Sequence, residues 1–476
     1  MQNSITMIIE QIYTNCLAQG AYYIESNGEA AIIDPIREPQ PYIERAQKSG
    51  AQIKFIFETH IHADFVSGHV DLAKKTGATI VFGPNAKTAF NCYNASDNEE
   101  FKIGNITLKV LHTPGHTLES VTYLLIDENA KNHAVFTGDT LFLGDVGRPD
   151  LAIKSDLTEK DLAGMLFESL RSKIMTLSDD VIVYPAHGAG SACGKNLSKE
   201  TVGTIGDQKQ TNYALRSDMT KEEFVKEVLD GISPPPQYFA ENALLNKMGY
   251  SDLDHVLDSG DTPLSVDVFE ELSENNNTLI LDVRTQQEFV KNHIPGSIFI
   301  GLNGGFAPWV GALITDITQP ILLVVPEGKS EEAITRLARV GYDNTIGYLK
   351  GGIQSWIDAG KKTDQITSIP ATEFEQHMKN ESVNVLDVRK DGEYLSIHLK
   401  GPNVQHFALD YINKQLHQIS SDQKYYIHCA GGYRSVIAAS ILKANGFHNI
   451  IDIAGGFAAL KKTNLELSDY VCPSTL

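Results

Sequence analysis

The chain has little cysteine, a shortage of basic residues and no long apolar run. Its five cysteines (Cys16, Cys92, Cys193, Cys429 and Cys472) are odd in number and scattered over 476 residues. That excludes a disulfide framework and suits a reducing compartment with individually placed thiols. Forty Lys and Arg stand against sixty Asp and Glu, a formal charge of −20. This deficit argues against the basic patches on which nucleic-acid and anionic-membrane binding depend. No apolar run approaches the ~20 residues of a membrane-spanning helix. The opening Met1-Gln2-Asn3-Ser4-Ile5-Thr6 lacks the charged and apolar regions of a secretory signal and the Arg-rich character of a transit peptide. The expectation is a cytoplasmic protein acting on a small molecule, with no nucleic-acid or membrane partner, and a homo-oligomer.

What is present is chemistry grouped in loops. Residues 59–69 read Thr-His-Ile-His-Ala-Asp-Phe-Val-Ser-Gly-His, followed by Thr113-Pro114-Gly115-His116-Thr117, Thr137-Gly138-Asp139-Thr140 and Tyr184-Pro185-Ala186-His187-Gly188. Each loop follows an apolar run: Phe55–Phe57, Leu108–Leu111, Ala134–Phe136 and Val181–Tyr184. Imidazoles and carboxylates on strand-end loops suit zinc or non-haem iron, because the strands hold the donors rigidly. A second motif lies near the other end: Cys429-Ala430-Gly431-Gly432-Tyr433-Arg434, between Tyr425–His428 and a helical stretch Ser435–Ala444. A thiol at a strand end and under a helix N-terminus is stabilised as thiolate or persulfide anion by the dipole and the loop N–H groups. Arg434 adds charge. Four residues between Cys and Arg make a tight loop sized for one sulfur atom rather than for phosphate.

The C-terminal half repeats itself. Leu281-Asp282-Val283-Arg284 recurs as Leu386-Asp387-Val388-Arg389, and Gly351-Gly352-Ile353 as Gly455-Gly456-Phe457, with an offset of 105 falling to 104. Short apolar strands alternate with helical stretches in each copy, which implies parallel α/β sheets. At an offset of 105, Val324 stands opposite Cys429 and Lys329 opposite Arg434. The first copy therefore has no nucleophile and reads as an inactive copy serving packing or spacing. Asp282/Arg284 and Asp387/Arg389, present in both, read as fold residues.

The four N-terminal loops, in this order, resemble the metallo-β-lactamase superfamily. There a further His normally follows the Asp; here Phe65 follows Asp64. The change removes a ligand from the second metal of the dinuclear pattern. More narrowly, with Gly144-Asp145-Val146-Gly147-Arg148-Pro149-Asp150 downstream, the segment resembles the persulfide dioxygenase branch. The Cys429 segment resembles the active loop of rhodanese sulfurtransferases. The whole chain resembles a fusion of the two, which implies an α/β protein. An N-terminal metallo-β-lactamase αβ/βα sandwich spans 1–263, with a helical annex at Lys221–Leu229 and a linker. An inactive rhodanese-like domain at 264–362 and an active one at 363–476 follow, both with parallel sheets.

The resemblance implies one Fe(II) per chain, with zinc as the alternative, bound by His60, His116 and Asp139. That facial set leaves positions open for substrate and O2. His62, Asp64 and His187 then stand behind the ligands and orient them or bound water; in a rival reading His62 coordinates zinc. Arg148 is a candidate partner for a substrate carboxylate, with a structural bridge to Asp150 as the plain alternative. Tyr184 is a candidate donor to an oxygen ligand, or a half-buried strand-end residue. Cys193, in a Gly/Ser-rich loop after His187, could relay sulfur with Lys195 lowering its pKa, or be inert. Cys429 and Arg434 are the expected catalytic pair, with Ala430, Gly431, Gly432 and Tyr433 contacting substrate. The implied activity oxidises a low-molecular-weight persulfide with O2 to sulfite and moves sulfane sulfur through Cys429 to thiosulfate. The alternatives are a zinc thioester hydrolase with a rhodanese tail, or a non-catalytic sulfur carrier.

Overall fold

The computed structural model describes residues 7–151, 157–275 and 277–472. The N-terminal part is built on two six-stranded sheets. The first runs through Ile8–Thr14, Gln19–Ser26, Glu29–Ile33, Gln52–Phe57, Thr79–Phe82 and Tyr93–Asn94 in sequence order. The second is ordered Gly203–Thr204, Ile182–Pro185, Asn132–Gly138, Val121–Ile126, Ile106–His112 and Glu100–Ile103.

The strands of the second sheet read as continuous apolar runs because both of its faces are covered, and side chains on a strand alternate between faces. Tyr123, Leu125, Ala134 and Phe136 join Tyr22, Ile24, Ile33 and Phe57 in the core between the sheets. The intervening Leu124 and Val135 turn the other way. They meet Ala163 and Leu166 of the helix Glu159–Ser169, and Phe224 and Val228 of the helix Lys221–Leu229. The αβ/βα sandwich implied by the sequence is the observed architecture.

The annex helix Lys221–Leu229 is where the sequence placed it, and the stretch around it that read as a linker is also largely helical: Ile205–Thr211, Phe239–Met248 and Leu253–Gly260. Its polar composition concealed this, and a few of the polar residues, Gln208, Asn212, Asn242 and Asn246, are buried. The buried Asn246 donates from Nδ2 to the carbonyls of His62 (2.9 Å) and Phe65 (2.7 Å), and its Oδ1 accepts from the Ser67 N–H (2.8 Å). A helix in the supposed linker thus holds the backbone of the His-rich loop.

The C-terminal repeats form two five-stranded parallel sheets of identical order. One is Pro263–Leu264, Thr345–Leu349, Ile321–Val324, Leu279–Asp282, Ile298–Phe299; the other is Thr367–Pro370, Ile450–Ala454, Tyr425–His428, Asn384–Asp387, Val404–His406. Arg284 clasps Asp282 through Nε and Nη2 in the first copy, as Arg389 clasps Asp387 in the second, with all four side chains buried. The sheet register corrects one sequence equivalence. Asp282 lies beside Val324, and Asp387 beside His428. The counterpart of Cys429 is therefore Val325, one residue later than the uniform offset suggests, and that of Arg434 is Ser330. The first copy still offers no nucleophile.

The chain divides into two compact units. One comprises residues up to Leu253 with Ala338–Gly341; the other comprises Asp254–Leu337 with Tyr342 onward, and so contains both repeats. Among the described residues no helix is long and apolar enough to cross a membrane.

Candidate metal centre and thiol loop

Four strands of the sandwich end in the loops that carry the donors. His60 follows Gln52–Phe57, His116 follows Ile106–His112, Asp139 follows Asn132–Gly138 and His187 follows Ile182–Pro185. One ligand atom from each of His60, His116 and Asp139 falls within 4.8 Å of the others, and all three residues are buried. Asp139 Oδ2 lies 3.8 Å from His60 Nε2 and 3.4 Å from His116 Nε2. It has no hydrogen-bond partner among the described residues.

The far side of each ring explains this aim. Thr59 donates its hydroxyl to Asp34 Oδ2 (2.8 Å), so its oxygen is left to accept from His60 Nδ1 (3.0 Å). His116 Nδ1 donates to the Arg148 carbonyl (2.8 Å). Both imidazoles thus carry the proton on Nδ1 and present a bare Nε2, the tautomer a metal requires. Gly147 allows the close approach behind them: a Cβ there would lie 2.0 Å from the Asp139 carbonyl oxygen and 3.0 Å from His116 Nδ1.

The charge states agree with a cation site. Burial, reinforced by His62, holds the His60 imidazole well below its usual range, so it is neutral. Burial would raise the Asp139 carboxyl, but the His187 imidazole, hydrogen-bonded to it, outweighs burial and keeps it ionised. Two imidazole nitrogens and a carboxylate with a buried oxygen lacking a donor fit a divalent cation.

The other predicted residues divide. His187 Nδ1 donates to Asp139 Oδ1 (2.7 Å), and its Nε2 is 2.8 Å from Asp64 Oδ2. His62 packs its ring against His60, 4.1 Å between centroids, and directs its Nε2 to carboxylates, 3.0 Å from Asp34 Oδ1 and 3.5 Å from Glu58 Oε2. Burial opposes protonation, yet these two acids raise its pKa to about 9. Phe65 is buried against the His62 ring, 4.5 Å between centroids.

Arg148 is not free to meet a substrate. Its guanidinium grips Asp150 through Nε and Nη2 (2.7 Å each) and donates to the carbonyls of Ser233 and Ala192. Tyr184 fits the plainer of its two readings, a half-buried strand-end residue: its ring stacks on Phe136 and packs against the core between the sheets, 5.2 Å between centroids. Alternation along its short strand sends it inward.

Cys193 comes close to Asp64 and His187, one ligand atom of each within 4.8 Å of the others. Lys195 does not activate it, because its Nζ is bound to the carbonyls of Glu227 and Asp230 (2.7 Å each). Burial, with Asp64 and Asp139 nearby, pushes the thiol well above its usual range. Sequence reading missed Asp34, Thr59 and Asn246. Asp34 announces itself only through φ +49°, a conformation uncommon outside glycine.

In the second unit Cys429 is buried at the end of the strand Tyr425–His428, ahead of the helix Tyr433–Ala444. The Gly432 N–H donates to Cys429 Sγ (3.1 Å). The Cys429 and Ala430 carbonyls accept from Phe457 N (2.6 Å) and Ala458 N (3.0 Å), so a second loop braces the first. Gly431 is exposed at the rim. One predicted role changes. Arg434 does not turn a bare charge on the sulfur; both its terminal nitrogens are held by Glu393 (2.6 and 2.8 Å). The Tyr433 hydroxyl is engaged within the fold, donating to the Gly301 carbonyl (2.7 Å).

Fold and donor set define a metal-binding sandwich joined to a thiol-loop tandem. A metallo-β-lactamase superfamily model matches residues 15–91, and a rhodanese-like domain model matches 265–359 and 370–463. A crystal structure of a metallo-β-lactamase from Staphylococcus aureus is 33% identical, with a TM-score of 0.63, covering 72% of this chain and 99% of that one. The cytoplasmic hydroxyacylglutathione hydrolase of Arabidopsis thaliana is 36% identical over 177 residues, 36% of this chain; the chain spans 65% of that relative's length. A hydroxyacylglutathione hydrolase of Rhodopseudomonas palustris is 29% identical over 43% of this chain and 86% of its own. The chain belongs to the metallo-β-lactamase superfamily and carries two rhodanese-like domains behind the metal-binding fold.

Proposed function

We propose that the protein is a persulfide dioxygenase and sulfurtransferase that uses one Fe(II). The observation that carries this reading is a buried set of two imidazole nitrogens and one carboxylate oxygen, with Phe65 where a two-zinc hydrolase would place an imidazole. The same chain has a strand-end thiol loop. His60, His116 and Asp139 would hold the iron, which when bound would supply the capacity to bring O2 and a persulfide sulfur together. The residues around it set the tautomers: Thr59 and the Arg148 carbonyl keep the protons on Nδ1, and His187 holds the free face of Asp139. The net reaction is R–S–SH + O2 + H2O to R–SH + sulfite + 2 H⁺.

In the second step the Cys429 thiolate attacks the outer sulfur of a persulfide. The S–S bond breaks, R–S⁻ leaves and takes a proton, and Cys429 carries the sulfur. Sulfite then attacks that sulfur, releasing thiosulfate and regenerating the thiolate. The Gly432 N–H is placed to stabilise negative charge on the sulfur.

A zinc thioester hydrolase is the second reading, favoured by the names of the hydroxyacylglutathione hydrolase relatives and by the additional donors Asp64, His187 and Cys193. The test is anaerobic purification and iron reconstitution, then O2 uptake against a panel of low-molecular-weight persulfides. Iron-dependent uptake with sulfite formation is expected. Full zinc occupancy with thioester turnover and no O2 uptake would establish the hydrolase instead.

A further inference from the structure

The first repeat lacks a nucleophile, yet it is built into the surroundings of the one that exists. The loop 301–305 follows its strand Ile298–Phe299, and the Gly301 carbonyl accepts the Tyr433 hydroxyl at 2.7 Å. Gly304 faces the same ring so closely that a Cβ would lie 2.2 Å from Tyr433 Cζ. Phe299 meets the ring edge-on, 5.7 Å between centroids, and its N–H donates to Ser440 Oγ (3.0 Å), about two turns further along the same face of the helix that Tyr433 begins. The receiving loop is itself held. Leu302 donates its N–H to the Val283 carbonyl (3.1 Å) and accepts from Arg336 Nη1 (2.8 Å).

Tyr433 is one residue beyond Gly432, whose N–H points at the sulfur of Cys429 and whose φ of +101° makes the bend possible. Among the described residues this is the backbone N–H that reaches the sulfur, and one peptide link joins it to the Tyr433 ring.

We propose that the inactive repeat is a working part of the sulfur-transfer site: its loop 301–305 seats Tyr433 and thereby positions the Gly432 N–H on Cys429. Tyr433 and Gly304 are positioning residues. This rests on Cys429 being the sulfur carrier. It gives the copy without a nucleophile a function other than spacing.

The test uses the full-length protein with Tyr433→Phe, which removes one hydrogen bond, and Gly304→Ala, which drives a methyl group into the ring. Thiosulfate:cyanide sulfurtransferase kinetics are measured. The rate of Cys429 alkylation is followed against pH by mass spectrometry of its peptide. Loss of one hydrogen bond should lower kcat roughly fivefold. Displacement of the ring should lower it on the order of a hundredfold, with KM changing less. In both variants the alkylation profile should move to higher pH, because the sulfur anion loses a donor. Melting of each variant is recorded alongside. A change in stability with kcat and the alkylation profile as in the parent would reduce the first repeat to packing and overturn the proposal. Should Gly304→Ala fail to fold, Tyr433→Phe decides alone, since it keeps the ring and all its packing. Cys429→Ser is the control for the underlying reading. If transfer survives it, another residue carries the sulfur, whereas the alkylation profile still reports whether the loop has moved.

Discussion

At the scale of single residues, the proposed metal centre rests on His60, His116 and Asp139. His116→Ala or Asp139→Ala should abolish stoichiometric metal binding and O2 consumption, while sulfur transfer at Cys429 continues. Metal analysis and two separate assays check this, and retained iron in either variant would place the ligands elsewhere. Cys429→Ser should show the opposite pattern. A serine hydroxyl cannot carry a persulfide, so transfer is lost while sulfite still forms. Cys193 should resist iodoacetamide at pH 8 in the native protein and react once urea opens the fold, because burial and two carboxylates hold it as a thiol. Rapid native labelling would revive it as a relay. Legibility at this scale was uneven. The three donors announced themselves through motif order, whereas Arg148 and Tyr184 each left a functional and a structural reading open. Their neighbours, Asp150 and Phe136, show that one is a strut and the other a half-buried ring packed on the core.

At the scale of an element, the helix Phe239–Met248 is the least expected contributor to the site. Through Asn246 it holds the His62 and Phe65 carbonyls and the Ser67 N–H. Asn246→Ala would strand these buried backbone groups, at a cost of about 3 kcal/mol. It should loosen the loop that begins at His60, lowering both the melting temperature and metal affinity. An unchanged metal dissociation constant would mean the loop holds its shape unaided. Nothing in the sequence links position 246 to position 65, since a lone Asn in a polar stretch has no pattern. The strands behind the site were legible for the opposite reason. Sheets covered on both faces require unbroken apolar runs, and those runs are visible without a structure.

At the scale of the whole molecule, each unit closes its own hydrophobic core, and among the described residues the candidate metal donors lie in the first. A bound metal stabilises the state that binds it, by about 2.7 kcal/mol at a free concentration one hundred times Kd. Chelation should therefore lower the melting transition of the first unit and leave that of the second where it was. Calorimetry with and without chelator, using Cys429 reactivity to mark the second transition, checks this. Equal shifts in both would mean that the units unfold as one.

The sequence by itself determined the fold class, the internal repeat, the four donor loops and the thiol loop. These are local patterns: runs, spacings and motifs that short-range geometry imposes wherever the chain goes. Only the tertiary structure decided which nitrogen of each imidazole is bare, that Glu393 neutralises Arg434, that Val325 stands opposite Cys429, and that Tyr433 sits in a loop of the other repeat. Each of these depends on a partner far away in sequence, such as Thr59 with Asp34, His116 with Arg148, or Tyr433 with Gly301. Hydrogen bonding is directional and short-ranged, so a residue's role is set by which partner the folded chain brings within about 3 Å of it.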